Sequence, residues 1–534
     1  MINLLIYTFS FVTIGLWLGL RVLKYKLFPK EFLYICSLAA SLLILYFLFY
    51  VYLVSPTWGH NLSVAFMAYS PLALLSIIFS IKKSRRLLSL VLTFFLPPLL
   101  ITAAIFCVNT ALLYSCRYPV ASFDDRRPAN NTFCSIKDFP LDNGLPEMFG
   151  VDILQHQPDP MVLDWSIANR PPLQIAATLP IEDLDSNATP SRISTYYNLF
   201  SIFLQLLWVG AAWALFQRLK IRRRYQIVLF IGFCATGFFY LNSVFVWPKL
   251  LAGALVLAGM TPFIGAKLNK NLFRYLPVAA TLISLGLMSH GGVVFTVIPF
   301  VCFMLYKLWQ NKERDYRQVG IAAVIALAIL IPWQVYTASI PNASYLIKYQ
   351  FANVTDASQA AKHGTVKTIL NAYESITFGQ WVSYKLQNVR TLFDGTGDQG
   401  FMYICPIDHV VASRDDCVKQ RDLTFFSTLF SLESFAVGFL FLIYQAFRRR
   451  LDSFDKESLL LIAVSLVLWV LLLFAPGSTV VHQGSYANNI LLFILVGRAI
   501  LRSAPRFLIF VVVAQFIIFY AAWIHPFPYF SYLK

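Results

Sequence analysis

Charge is what this 534-residue sequence has least of. Lys, Arg, Asp and Glu together make up 13% of it, and only 26 residues are acidic. A soluble globular chain carries about 25% charged residues. So few charges could not keep the apolar remainder in solution, which excludes both a disordered chain and a string of water-soluble domains. Cysteine is sparse as well, eight in all, and that excludes a small disulfide scaffold. No GxxxxGK[ST] loop, GxSxG turn or HExxH motif occurs, which removes an ATP-driven motor and argues against the common hydrolases. The seven histidines never fall at HxH or HxxxH spacing, so no local metal site is indicated.

What is present is apolar, at 58% of residues, with aromatics at 16%. A membrane helix needs about 20 consecutive apolar residues. Stretches that qualify run near 2–20, 31–54, 64–81, 87–115, 197–217, 226–246, 248–266, 275–289, 292–309, 319–339, 424–446, 457–475, 487–501 and 507–524. The expectation is therefore an all-α polytopic membrane protein of about fourteen transmembrane helices. The first stretch lacks a basic leader and a small-residue cleavage site, so it reads as an anchor.

The net charge of +17 would raise the question of nucleic acid in a soluble chain. Its distribution answers that question. Lys and Arg cluster between apolar stretches, as at Lys82/Lys83/Arg85/Arg86, Arg218–Arg224 and Arg448/Arg449/Arg450. Such clusters mark the cytoplasmic side, and here they fall in alternate loops, so both termini are expected outside and no nucleic-acid partner is indicated. The chain then divides into N-terminal helices (1–115), a first large external loop (116–196), central helices (197–339), a second large external loop (340–423) and C-terminal helices (424–534).

Cysteine and histidine agree with this sidedness. Cys36, Cys107, Cys234 and Cys302 lie in apolar stretches, whereas Cys116/Cys134 and Cys405/Cys417 form one close pair per external loop. An oxidising compartment would let each pair close a disulfide; the alternative is four unrelated thiols. His60, His156, His290, His363, His409, His482 and His525 all map to outer loops or outer helix ends, which places the polar chemistry on that side.

The most informative run lies between Phe139 and Ala176 in the first loop. Leu145, Met148, Phe149, Ile153 and Leu154 recur at helical spacing, with Asp142–Asn143 just ahead. Asp142 there is either a helix cap or a general base that takes a proton from a hydroxyl nucleophile. Pro171 and Pro172 then end any helix. Arg170, just before them, either pairs with Asp164 or offers its fork of donors to a phosphate.

Those residues resemble the first external loop of the GT-C membrane glycosyltransferases, most of all the lipid A aminoarabinose transferases and the protein O-mannosyltransferases. The resemblance rests on an acidic start, a short amphipathic helix, a polar gap and then Arg170-Pro171-Pro172-Leu173. It implies a GT-C-like bundle with Asp142 as catalytic base. Two departures stand out: the loop follows the fourth apolar stretch where the family usually has it after the first, and Asn143 stands where many members have a second acid.

Three further outer elements suit such a site. Lys249 beside Trp247 and Pro248 either snorkels to lipid headgroups or binds a donor phosphate. His290, in a polar break with two glycines, either binds phosphate or sugar or caps a tight turn. The stretch Pro476–Asn489 offers His482, Gln483, Ser485, Tyr486 and Asn488 for carbohydrate, or is simply a wetted loop. With Asp164, the residues His482, Gln483 and Tyr486 are the substrate-binding candidates, and Arg170, Lys249 and His290 the phosphate-binding ones.

No cytoplasmic loop is large enough for a nucleotide-sugar domain, so a lipid carrier is the expected donor, and the resemblance makes that carrier polyprenyl phosphate. The expected function is transfer of a sugar to a glycan, lipid or protein acceptor at the periplasmic face of a bacterial inner membrane. No cofactor is required, and a divalent metal assembled across loops is left open. The alternatives are a polysaccharide polymerase or ligase and a flippase or transporter of lipid-linked sugars. Transporters tend to carry inverted repeats and mid-span ionisable residues, and neither was found.

Overall fold

The computed structural model describes residues 2–115, 144–155, 161–162, 165–166, 170–184, 190–266, 271–310, 315–340, 344–354, 364–394, 432–474 and 486–520. Four spans open the chain: α1 (Ile2–Lys24), α2 (Leu33–Val54), α3 (Pro56–Lys83), and α4 (Arg85–Leu90) running through one π turn into α5 (Leu96–Ser115). The first loop supplies α6 (Leu145–Leu154), a two-residue antiparallel hairpin of β1 (Met161–Val162) and β2 (Trp165–Ser166), and α7 (Leu173–Asp183). The centre holds α8 (Pro190–Gln205), α9 (Trp208–Arg218), α10 (Arg223–Cys234), α11 (Gly237–Val244), α12 (Lys249–Met260), α13 (Asn271–Arg274), α14 (Leu276–Ser289), α15 (Val294–Gln310) and α16 (Tyr316–Ala338). The second loop supplies α17 (Tyr345–Ala352), α18 (Thr365–Glu374) and α19 (Phe378–Asp394). The chain closes with α20 (Gly438–Phe447), α21 (Ser453–Leu472), α22 (Tyr486–Ser503) and α23 (Phe507–Phe519).

Local chemistry explains several boundaries. Ser55 accepts a hydrogen bond from the Trp58 N–H and Pro56 follows it, a cap and a first-turn proline that together start α3. Asp452 and Asp455 form a capping box at the start of α21, each carboxylate accepting from the other's backbone N–H.

Among the described residues, seven helical segments are long and apolar enough to cross a bilayer, or eight when the bent pair α10–α11 counts as one span. Their outer faces carry large apolar side chains in the open: on α16, Val324 and Val335 are each 66% exposed. A soluble protein rarely exposes such contiguous faces, and lipid is the solvent that suits them. Among the described residues the molecule is a helical, multi-pass membrane protein.

The centre of the bundle is α12, every residue of which is buried. It packs against α9, α14 and α22. Gly253 makes the last contact close: a Cβ there would stand 2.8 Å from the backbone of Tyr486 and Ala487. Small residues let membrane helices approach in this way.

Each of the fourteen apolar stretches holds a helix, but only half are of crossing length. Four of the others lie in the C-terminal part, and three lie between residues 223 and 289, where the helices run 4 to 14 residues. Twelve residues rise about 18 Å, against about 30 Å of hydrocarbon. The chain is broken there: α10 and α11 meet at 68°. Non-helical backbone at that depth has to be sealed by polar side chains, and that sealing builds the site.

The helix ends sort into two opposite faces. At one, basic clusters meet helix C-termini and acids: Arg218 donates to the carbonyls of Thr261 and Ile264, and Lys307 to Phe263 O, Ala266 O and Glu457. At the other, the first-loop helices rest on the bundle: Tyr7 donates to Ala177 O, and Tyr52 to Asp183. His60 Nδ1 lies 2.9 Å from the same Asp183 oxygen. The second-loop helices sit on the C-terminal end of α21, with Lys385 and Asn388 donating to its last carbonyls.

Asp142, Asp164, His482, Gln483 and the loop cysteines Cys116, Cys134, Cys405 and Cys417 lie outside the described residues, as do His156, His363, His409 and His525. Cys36, Cys107, Cys234 and Cys302 are free thiols.

Candidate functional site

The break between α11 and α12 is a tight double turn. Trp247 N–H donates to Phe245 O at 2.5 Å and Lys249 N–H to Trp247 O at 2.7 Å. Such a segment leaves other backbone groups without helical partners. Buried glutamines take them up: Gln174 on α7 donates to Val246 O at 2.6 Å, and Gln205 on α8 accepts the Leu251 N–H at 3.0 Å. The two side chains also bond each other, Gln205 Nε2 donating to Gln174 Oε1 at 3.2 Å, and Gln174 reaches the Tyr197 hydroxyl at 2.7 Å. From the facing helix, Ser289 donates to Pro248 O. Three elements, α7, α8 and α14, therefore fix the turn between α11 and α12.

That turn presents Trp247, and two cations gather on its indole. The Lys249 ammonium lies 3.8 Å from the ring centroid and the Arg170 guanidinium 4.8 Å. The quadrupole of an indole face attracts a cation by about 0.5–2 kcal/mol, more when water is excluded. Lys249 is buried and Arg170 half-buried. His290 completes the group, its ring 6.0 Å from the same indole.

His290 lies in the turn between α14 and α15. Its Nδ1 accepts the Gly292 N–H at 3.1 Å, so the proton is on Nε2 and that atom is a donor. Burial, then the charges of Lys249 and Arg170, holds it well below the ordinary imidazole range and therefore neutral. Of the two readings left open by the sequence, capping of the turn is realised by Nδ1, while Nε2–H remains to serve a ligand.

Tyr486 stands on the other side of Lys249, its ring centroid 5.9 Å from the ammonium. The Tyr486 hydroxyl donates to Asn242 Oδ1 at 2.7 Å. Further along α22, Asn488 Oδ1 and both polar atoms of Asn489 are buried without hydrogen-bond partners. Buried amides of this kind cost about 1–3 kcal/mol each unless something bonds them.

The structure thus brings together Arg170, Lys249, His290 and Tyr486, which the sequence spreads over more than 300 positions. After Arg170-Pro171 comes a helix start: Pro172 is the N-cap and α7 begins at Leu173, while residues 167–169, where a helix would end, lie outside the described residues. For α6 the cap position is Gly144, which bonds no backbone through a side chain. No group of three or more His, Cys, Asp or Glu side chains able to hold a metal occurs among the described residues.

Sequence reasoning missed two acids. Glu147 on α6 and Glu182 on α7 are buried where these helices meet the bundle. Glu147 accepts a 3.4 Å bond from Ser194, and neither oxygen of Glu182 has a partner. Burial, slightly offset by Ser194, pushes the Glu147 carboxyl up to about 8. Burial and then the neighbouring Glu147 raise Glu182 well above the carboxylate range. The signal available was an acid set in an otherwise apolar helix, LQIAATLPIED. Gln174 and Gln205 were missed too, because a glutamine that seals a break is visible only once the break is.

Comparison of the chain with protein-family profiles, with curated proteins and with solved structures returned no match.

Proposed function

We propose that this chain is an integral-membrane glycosyltransferase of GT-C type, crossing a bacterial inner membrane about fourteen times with its site on the periplasmic face. The donor is a sugar on polyprenyl phosphate, and the acceptor a glycan, lipid or protein hydroxyl of the envelope. The observation that supports this reading is the convergence of Arg170, Lys249 and the His290 donor on Trp247, at the end of the bundle away from the basic clusters. A phosphate monoester or diester asks for two cations and a neutral donor. A buried, aromatic-walled setting strengthens that attraction.

In this reading Asp142 accepts the proton of the acceptor hydroxyl. The acceptor oxygen bonds to the anomeric carbon as the bond from that carbon to the phosphate oxygen breaks. The electron pair leaves with the phosphate, whose charge Arg170 and Lys249 stabilise and whose oxygen His290 Nε2–H bonds. One-step attack inverts the anomeric centre. Asp164, His482, Gln483 and Tyr486 bind the sugar or acceptor, with the two asparagines of α22 supplying further bonds. The reaction requires no cofactor.

The test is mass spectrometry of envelope glycans, lipids and glycoproteins from cells with the chain, without it, and with Lys249→Met or Asp142→Asn at equal expression. Loss of one defined sugar mass in all three altered strains is the expected result. Shortened polymers would make the chain a polymerase. A lipid-linked precursor accumulating with no covalent change elsewhere would make it a flippase and overturn the proposal.

A further inference from the structure

Two carboxyl groups meet in the seat that joins the first-loop helices to the bundle. Glu182 lies near the C-terminal end of α7, fully enclosed, and its Oε2 stands 2.6 Å from where a Cβ on Gly150 would be. A side chain at this position would push the carboxyl aside. Glu147 is three residues before Gly150, hence on the same face of α6. The Glu147 charge acts on Glu182, and both act on the Tyr197 hydroxyl. No cation contacts either carboxyl among the described residues, and Glu182 has no hydrogen-bond partner on either oxygen.

Two ionised carboxylates enclosed in this way would repel each other in a medium of low dielectric. Apart from the 3.4 Å bond that Ser194 gives Glu147, the donors that normally repay burial of a charge are missing among the described residues. A shared or retained proton removes the conflict, as it does wherever two carboxyls occupy one site. The seat is also close to water at its rim. Asp183, the next residue, accepts from Tyr52 and lies against His60, whose side chain is 46% exposed.

We infer that Glu147 and Glu182 form a proton-binding site: enclosed where α6 and α7 seat on the bundle, the pair holds protons, and losing one loosens that seat. The ligand is the proton itself, and the inference stands whatever reaction the chain performs.

The elements packed around the pair carry Tyr7, Arg21 and Lys24 on α1, Tyr34, Cys36, Tyr46, Tyr50 and Tyr52 on α2, and His60, Tyr69, Lys82 and Lys83 on α3, with Asp152 on α6, Asp183 on α7 and Arg192, Tyr196 and Tyr197 on α8; β1 and the facing α14 carry none. Of these, Tyr7 and Tyr197 feel the charge of the carboxyls. Tyr7 donates to Ala177 O and Tyr197 accepts from Gln174, so neither neutralises the pair. The sign follows from linkage. Carboxyls held above their ordinary value favour the seated state at low pH, and that preference is lost as pH rises from 4.5 through about 8. Glu182, the more strongly raised, keeps its proton longest, and Glu147 is the group that exchanges.

Infrared difference spectra of the protein in lipid nanodiscs, between about pH 6 and about pH 9, test this directly. The expected result is loss of the carbonyl stretch of a protonated carboxylic acid on the alkaline side, a change absent from Glu147→Gln. Exposure of the α6–α7 segment to protease should rise about tenfold over the same range in the wild type. The Glu147→Gln/Glu182→Gln double variant, neutral at every pH, should change less than about twofold. No protonated-acid band in the folded wild type at about pH 6 would overturn the inference, even were both variants to misfold. So would parallel pH dependence of protease exposure in wild type and double variant.

Discussion

The two ends of the bundle each enclose a pair of acids and a pair of cations, and they arrange them in opposite ways. At the end with the basic clusters, Asp452 and Asp455 are gripped by Arg498 and Arg502, with the Arg498 fork spanning both carboxylates. At the other end the acids Glu147 and Glu182 lie within range of each other's charge, while Arg170 and Lys249 gather on Trp247. Opposite charges in contact satisfy one another and hold helices together. In the other arrangement the cations share an aromatic face and the acids share an enclosed seat, so like charges stand near one another.

The largest effect expected is at the end with the paired charges. Arg498→Ala would leave two carboxylates, one of them buried, without their main partner, at a cost of about 3–5 kcal/mol. A chemical or thermal unfolding midpoint in detergent reads that loss. At the other end Lys249→Met should leave the midpoint nearly unchanged while lowering sugar transfer by about a hundredfold, close to 2.7 kcal/mol. A variant that lost stability and transfer together would erase the distinction between the ends. Gln205→Ala falls between: it strips the Leu251 N–H and Gln174 of a partner. It should cost about 1–3 kcal/mol of stability and loosen the turn that carries Trp247, with transfer falling accordingly.

Acidity sharpens the contrast, because Asp452 and Glu147 respond with opposite signs, whereas burial raises Asp455 as it raises Glu147. Burial works to raise Asp452, but hydrogen bonds from Arg498 and the charges of Arg498 and Arg502 more than reverse it and hold it well below the ordinary range. Its contribution is present above about pH 4 and lost as pH falls. The contribution of Glu147, held high, is present at low pH and lost as pH rises through about 8. Hydrogen exchange followed by region should therefore show α21–α22 loosening in acid and α6–α7 loosening in base. The smallest effect belongs to His60→Ala, which removes an exposed partner of Asp183 and should shift stability by under about 1 kcal/mol.

How much of this was legible in the sequence depended on the range of the interaction concerned. Membrane class follows from composition, and the basic residues Arg218 and Lys307 do share one end of the bundle, because both signals are local. The helix at Leu145–Leu154 is legible for the same reason. Of the seven histidines only His60 and His290 fall among the described residues. Arg170, Lys249 and His290 could be named one by one from local oddity, a single cation or imidazole in apolar surroundings. Their meeting on Trp247 could not, since it depends on the break at 245–248. Apolar length does not show the bends of that region: 226–246 and 248–266 look like two straight spans, whereas the structure has bent and shortened helices there. Glu147 and Glu182 were hidden because each looks like an ordinary loop acid until α6 and α7 are folded against each other.

The most direct test of the account is native mass spectrometry of the purified protein with polyprenyl phosphate and, separately, with uncharged polyprenol of the same length. If the cations on Trp247 form a phosphate site, the phosphate lipid is retained by the wild type and binds at least about tenfold more weakly, near 1.4 kcal/mol, to Arg170→Met/Lys249→Met, while the alcohol binds both proteins alike. Equal retention of polyprenyl phosphate by the wild type and the double variant would contradict the account.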